Sequence, residues 1–270
     1  MTEHPQDKLP GWGEPIERAT RPSWLDAAGE VPHPVREVHP RNTFVPELVE
    51  AFRVLGVDVL RAFQAAGPII YETGWGEGAR DAKGNPIGVV GNNFGGVKAT
   101  PGWAASVLER TGQPARYYRA RGNKGTGDTP VVWYRWYPDL AAFLAPWLLS
   151  YLPKPGAPSE LYRRAGELFW TRPADDLAWF SEQMQRGYRG PNNVDNPGRA
   201  HAIRDQDTIA RLTRAHWAQA QLGVTSDGKW GPASVAAAES YQRAHELQVT
   251  GQPDDDTARQ LAHEGEGLGL

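Results

Sequence analysis

The stretch LGVTSDGKWGPAS at 222–234 is echoed by LQVTGQPDDDT at 247–257, and each copy runs into a helical pattern. An internal duplication of this kind marks a small unit with its own core, so residues 204–270 are expected to fold as a separate domain. Inside it, Asp227 and Gly228 suit a tight turn that Gly231 completes. Pro232 suits the first position of the following helix, where its missing N–H leaves no bond unmade.

The rest of the 270-residue chain is long enough for a second, larger core. Prolines at 5, 10, 15, 22, 32, 34 and 40, among scattered apolar residues, mark 1–44 as an extended surface arm or a partly disordered leader, without chemistry of its own. From Val45 the pattern changes. Leu48, Phe52 and Leu55 form one helical stripe, and Leu60, Phe63, Gly67 and Ile70 form another. Pro68, inside the second stripe, is expected to kink that helix or to begin a new one. Residues 76–102 are dense in Gly and Asn and read as a long structured loop. Short β-type runs within 105–137, notably PVVWYRWY after the turn-like RGNKGTGD, predict a hairpin. Helical patterns resume at 139–152 and 159–187, separated by KPGAP, and GPNNVDNPG then breaks the chain again at 190–198. The fold class is therefore α+β, mainly α.

A formal net charge of -3 argues against a chain built to hold nucleic acid phosphates, which needs a concentrated basic surface. No stretch approaches the roughly 18 apolar residues of a membrane span. With no cysteine there is neither a disulfide framework nor a thiolate metal site. His201, His216, His245 and His263 stand at no ligand spacing and HExxH is absent, so a site without metal and without cofactor is expected. Eleven Trp, nine Tyr and seven Phe in so loop-rich a chain fit a surface for flat sugar rings, although such rings also fill cores.

The candidate chemistry sits in IIYETGWG at 69–76. On a helical wheel Glu72 falls about 200° from Ile70, off the apolar seam, where it can face a cleft. A carboxyl packed beside Trp75 would have its charged form disfavoured by desolvation, which is what a general acid near neutral pH requires. Alone, a Glu at a helix end is usually a solvated residue or a cap. Its company changes the reading: YETGWG is followed by GNNFGGVKATPGW, then YRWYPDLAAF and QRGYRGP.

In that order and spacing, over about 46–200, the motifs resemble the glucosaminidase-type peptidoglycan hydrolases of glycoside hydrolase family 73. The resemblance implies a lysozyme-like domain over 45–203, with a small β-hairpin, that cleaves the β-1,4 glycosidic bonds of the cell-wall glycan. It makes Glu72 the general acid and Tyr137 the tyrosine of the cleft floor, and it gives the sugar subsites to Trp75, Asn93, Phe94 and Tyr134. Packing is the competing role for Tyr137, and turn formation for Asn92 and Asn93. Where the family carries a second Glu on the hairpin, TGQPARYY at 111–118 has no carboxylate. Glu109 is the nearest candidate and Asp128 a weaker one. Without either, the substrate's own N-acetyl group, or a lytic transglycosylase or muramidase mechanism with Glu72 alone, would complete the reaction.

Residues 217–261 resemble a three-helix peptidoglycan-binding domain through LG, DGxWG, the helix-starting Pro, the YQ pair and a second VTG turn. Trp230 and Tyr241 are then candidate wall-binding aromatics, with packing as their competing role. The resulting expectation is an endolysin-like or effector-like enzyme, an N-acetylglucosaminidase, acting as a monomer on peptidoglycan glycan strands. MTEHPQDKLPGWGEP lacks the basic start and apolar run of a secretory leader. Synthesis in the cytoplasm, followed by holin-type release or dedicated secretion to the wall, is the matching expectation. A cell-wall binding protein without catalysis is the alternative of a different class.

Overall fold

The computed structural model describes residues 29–31, 34–78, 81–121, 131–152, 163–173 and 206–267. The chain runs β1 (Gly29–Glu30), β2 (Arg36–Glu37), α1 (Arg41–Val54), α2 (Val59–Glu72), β3 (Val89–Val90), α3 (Pro101–Thr111), β4 (Arg116–Arg121), β5 (Val131–Arg135), α4 (Leu140–Tyr151), α5 (Arg163–Thr171), α6 (Gln206–Gln221), α7 (Pro232–Ala244) and α8 (Asp255–Gly267). It is mainly helical with a small sheet, as the patterning predicts.

Both stripes near the start of the large domain become helices. Asp58 caps α2 by accepting from the Leu60 amide at 3.0 Å. Pro68 does not break α2, which continues through it with both Pro68 and the adjacent Gly67 buried. The expected loop 76–102 ends earlier than its composition suggests. Thr100 accepts from the Trp103 amide at 3.3 Å and Pro101 takes the first helical position, so ATPGW opens α3 rather than continuing the loop. The hairpin forms as β4 and β5, antiparallel, with Tyr118 opposite Tyr134. Part of the expected arm is structural: β1 pairs parallel with β4, β2 pairs antiparallel with β3, and Phe44 is buried in α1. Residues 1–28, residues 122–130, KPGAP, the expected helical pattern beyond residue 173 and GPNNVDNPG lie outside the described residues.

The duplication at the C-terminus has a physical cause. Gln219, at the end of α6, is wholly buried, and its amide donates to Lys229 O and Ser234 Oγ, both at 3.0 Å, while its Oε1 accepts from Gly228 N at 2.8 Å. Gln242 repeats this at the same spacing, donating to Gln252 O at 2.9 Å and Thr257 Oγ1 at 2.8 Å and accepting from Gly251 N at 2.9 Å. Each copy is a helix whose buried amide staples the following turn to the next helix. The turns need glycine: Gly228 and Gly251 have φ of +72° and +65°.

Helices α6 and α8 pack on α1 and α2 through a continuous apolar cluster that includes Phe52, Phe63, Trp217 and Leu261. The Phe63 and Trp217 rings meet edge to face at 5.4 Å, and Arg214 lies 5.3 Å from the Phe63 centroid. Glu50 ties the same seam together. It accepts from Trp217 Nε1 and from Arg53 Nη1, both at 2.6 Å, and Arg53 also donates to the Ala262 carbonyl on α8. The small helical unit is thus docked against the helix that ends in Glu72.

Candidate active site

Glu72 is the last residue of α2 and its side chain is exposed. Past it the backbone folds back on itself: Gly74, Trp75, Gly76 and Gly78 have φ of +53°, +67°, +88° and +75°. The turn is closed by Trp75 N donating to Ile70 O at 2.8 Å and Gly78 N to Thr73 O at 2.7 Å. Buried Thr73 donates to Ile69 O at 2.7 Å and accepts from Gly76 N at 3.0 Å. Gly76 is obligatory, because a Cβ there would lie 2.6 Å from the Phe44 ring. Glu72 stays exposed beside a partly buried Trp75. Its half-buried ring is taken up by the Arg41 guanidinium, 4.0 Å from the centroid, and by the His216 ring of α6, 5.9 Å away.

The GNNFGG loop and the end of β5 are brought to the same place. Asn92, at φ +50°, donates to Tyr137 O at 3.2 Å and Pro138 O at 2.9 Å. Buried Asn93 donates to Val97 O and Arg135 O, both at 2.9 Å, and accepts from Val97 N at 2.7 Å. Its amide therefore closes the loop onto the strand and has little capacity left for a sugar. Phe94 is a core residue, 1 % exposed, with its ring 5.3 Å from Phe44 and 5.5 Å from Phe143. Tyr137 is buried edge-on against Phe143 at 5.4 Å, and burial raises the pKa of its hydroxyl. Tyr134 remains half-buried and stacks on Tyr118 at 5.6 Å.

The three motifs therefore converge through one aromatic chain, Gly76 on Phe44, Phe44 on Phe94, Phe94 on Phe143 and Phe143 on Tyr137. Sequence reasoning missed Phe44, the hub, and Tyr118, whose hydroxyl is driven upward in pKa mainly by burial. The close approach demanded by Gly76 was the available signal for a bulky neighbour.

Glu109 lies exposed on α3, which packs with β4 in a separate small cluster of Ala99, Trp103, Ala104, Ala115 and Tyr117. Strands β4 and β5, RYYRAR and VVWYR, hold no carboxylate, and Asp128 is outside the described residues. Among the described residues no group of three or more His, Cys, Asp or Glu is placed to hold a metal ion. None of the described helices is long and apolar enough to cross a membrane.

Trp230 is half-buried and donates to Gly251 O at 2.8 Å, joining the two turns of the duplication. Tyr241 stacks on His245 at 4.0 Å, and His245 in turn meets Glu264 at 2.6 Å. Both aromatics are held by packing within the small unit. The Lys229 amide, followed by Gln219, holds the Asp227 carboxyl below its usual range, as a charged turn anchor would be held.

Residues 210–261 match the family model of the peptidoglycan binding domain. The match covers α7, most of α6 and the first part of α8, and it supports peptidoglycan as a partner of this chain. Neither the curated proteins nor the solved structures yielded a match.

Proposed function

We propose that the chain is a peptidoglycan hydrolase in which residues 210–261 grip the wall and Glu72 acts as general acid on a β-1,4 glycosidic bond, most simply as an N-acetylglucosaminidase. The observation that carries this is the convergence of YETGWG, GNNFGG and YRWYP on one aromatic chain, with the single exposed carboxylate of the first motif at the end of α2. Residues distant in sequence share that geometry, and the resemblance of the motifs assigns chemistry to it. Glu72 is exposed. In this reading a bound glycan strand covers it, displacing water from the carboxyl and favouring its protonated form.

Hairpin strands without a carboxylate favour a one-carboxylate route within the same reading. Glu72 then serves as acid and base in a lytic transglycosylase or muramidase reaction, or the substrate's N-acetyl group assists hydrolysis. The same absence, with Glu72 open to water, also favours a binding protein without catalysis. One experiment separates the three. Purified chain is mixed with peptidoglycan sacculi, turbidity is followed, and soluble products are weighed by mass spectrometry. Reducing N-acetylglucosamine ends mark glucosaminidase hydrolysis, with or without help from the substrate's N-acetyl group, reducing N-acetylmuramic ends a muramidase and 1,6-anhydromuramic ends a lytic transglycosylase. Pelleting with sacculi without clearing rejects the enzyme.

A further inference from the structure

We propose that His216 is a positioning residue: from the first helix of the peptidoglycan-binding unit it pins Trp75 and so fixes the turn that carries Glu72. Trp75 holds φ at +67°, a strained backbone for a bulky side chain that persists only where the surroundings impose it. The imposing groups are Arg41 at the start of α1, 4.0 Å from the ring centroid, and His216, 5.9 Å away.

His216 is itself rigidly seated. It is 1 % exposed, and its Nδ1 lies 3.0 Å from Ser226 O and donates to it, while Ser226 Oγ donates back to His216 O at 2.8 Å. Gly228 completes the seat, because a Cβ there would come within 2.6 Å of His216 Nε2. The turn 226–228 of the DGKWG motif, the imidazole, the indole and the 73–78 turn therefore form one line of contact. A histidine whose Nδ1 bond serves the turn and whose ring reaches Trp75 connects the wall-gripping unit to the Glu72 turn. Its link to catalysis rests on the role proposed for Glu72. The packing link does not.

The test uses the full chain and reads amide exchange by mass spectrometry. His216→Ala is expected to speed exchange of residues 73–78 by about tenfold. Unchanged exchange at 73–78 overturns the proposal. Because coupling is reciprocal, Trp75→Ala, which leaves the binding unit's sequence intact, is expected to speed exchange at 226–229. No change there overturns the proposal even where His216→Ala fails to fold. Where wild type clears sacculi, His216→Ala lowers the maximal rate about tenfold and leaves the half-saturating amount of sacculi unchanged. Wild type that fails to clear sacculi counts against the role of Glu72 alone, and the exchange result stands by itself.

Discussion

Trp217 Nε1 donates to Glu50 Oε1 at 2.6 Å, joining α6 to α1 across most of the chain. Glu50 also accepts from Arg53, so one carboxylate holds an indole and a guanidinium, and Arg53 carries the tie on to α8. Trp217→Phe keeps an apolar ring against Phe63 but leaves Glu50 one partner short. The expected cost is about 2 kcal/mol, as for a hydrogen bond to a charged group. Urea unfolding should show that loss in a single transition, since the apolar cluster runs through both parts of the chain. Two separated transitions would show that the docking contributes little.

Glu72→Gln tests the chemistry without disturbing the fold. The residue is exposed at a helix end, so the unfolding midpoint should move by no more than about 0.5 kcal/mol equivalent. Under the proposed mechanism, clearing of sacculi should fall at least about a hundredfold. Full clearing by this variant would remove Glu72 from the mechanism.

Gly228→Ala and Gly251→Ala should both destabilise, for two reasons that add. Both backbones are left-handed, and the new Cβ would come within 2.6 Å of His216 Nε2 in one case and 2.9 Å of Val235 Cγ1 in the other. Gly223→Ala, at φ +69° with open space around it, bears the backbone cost alone, about 1 kcal/mol. Thermal unfolding of the three variants should rank Gly223→Ala as the mildest.

Burial of His216 lowers its pKa from the usual 6.5, against a smaller opposing effect of its bond to Ser226. The folded state then binds this proton less readily than the unfolded chain does. Stability from this group is complete above about 6.5 and declines as pH falls from there through the folded value. A proton resonance titration of His216 should give a midpoint below 6.5, and a midpoint above it would contradict the packing around the ring.

The helices α1 and α2 were legible because their apolar stripes follow the helical period, and the C-terminal duplication because its turn chemistry repeats. Of the two outcomes expected at Pro68, a new helix does not occur, since α2 runs through the proline with Ile69 and Ile70 buried beside it. The start of α3 was hidden by Pro101 and Gly102, which read as a turn until Thr100 is seen to cap the helix. Asn93 and Phe94 were assigned to sugar subsites through the resemblance of their motif, which does not tell which side of a loop a side chain occupies. The amide of Asn93 is spent on Val97 and Arg135, and the ring of Phe94 on Phe44 and Phe143. The alliance of Trp75 with Arg41 and His216 joins three segments far apart in the chain, and no local pattern announces it.

The seam between α6 and the pair α1 and α2 seats the C-terminal unit directly on the helix that ends in Glu72. A hand on a loose tether samples many places around its hold, whereas one built into the same block measures out a constant offset. If the proposed hydrolase reading holds, that offset would set a ruler: fragments released from a uniform glycan strand would cluster around a preferred length instead of spreading over all lengths.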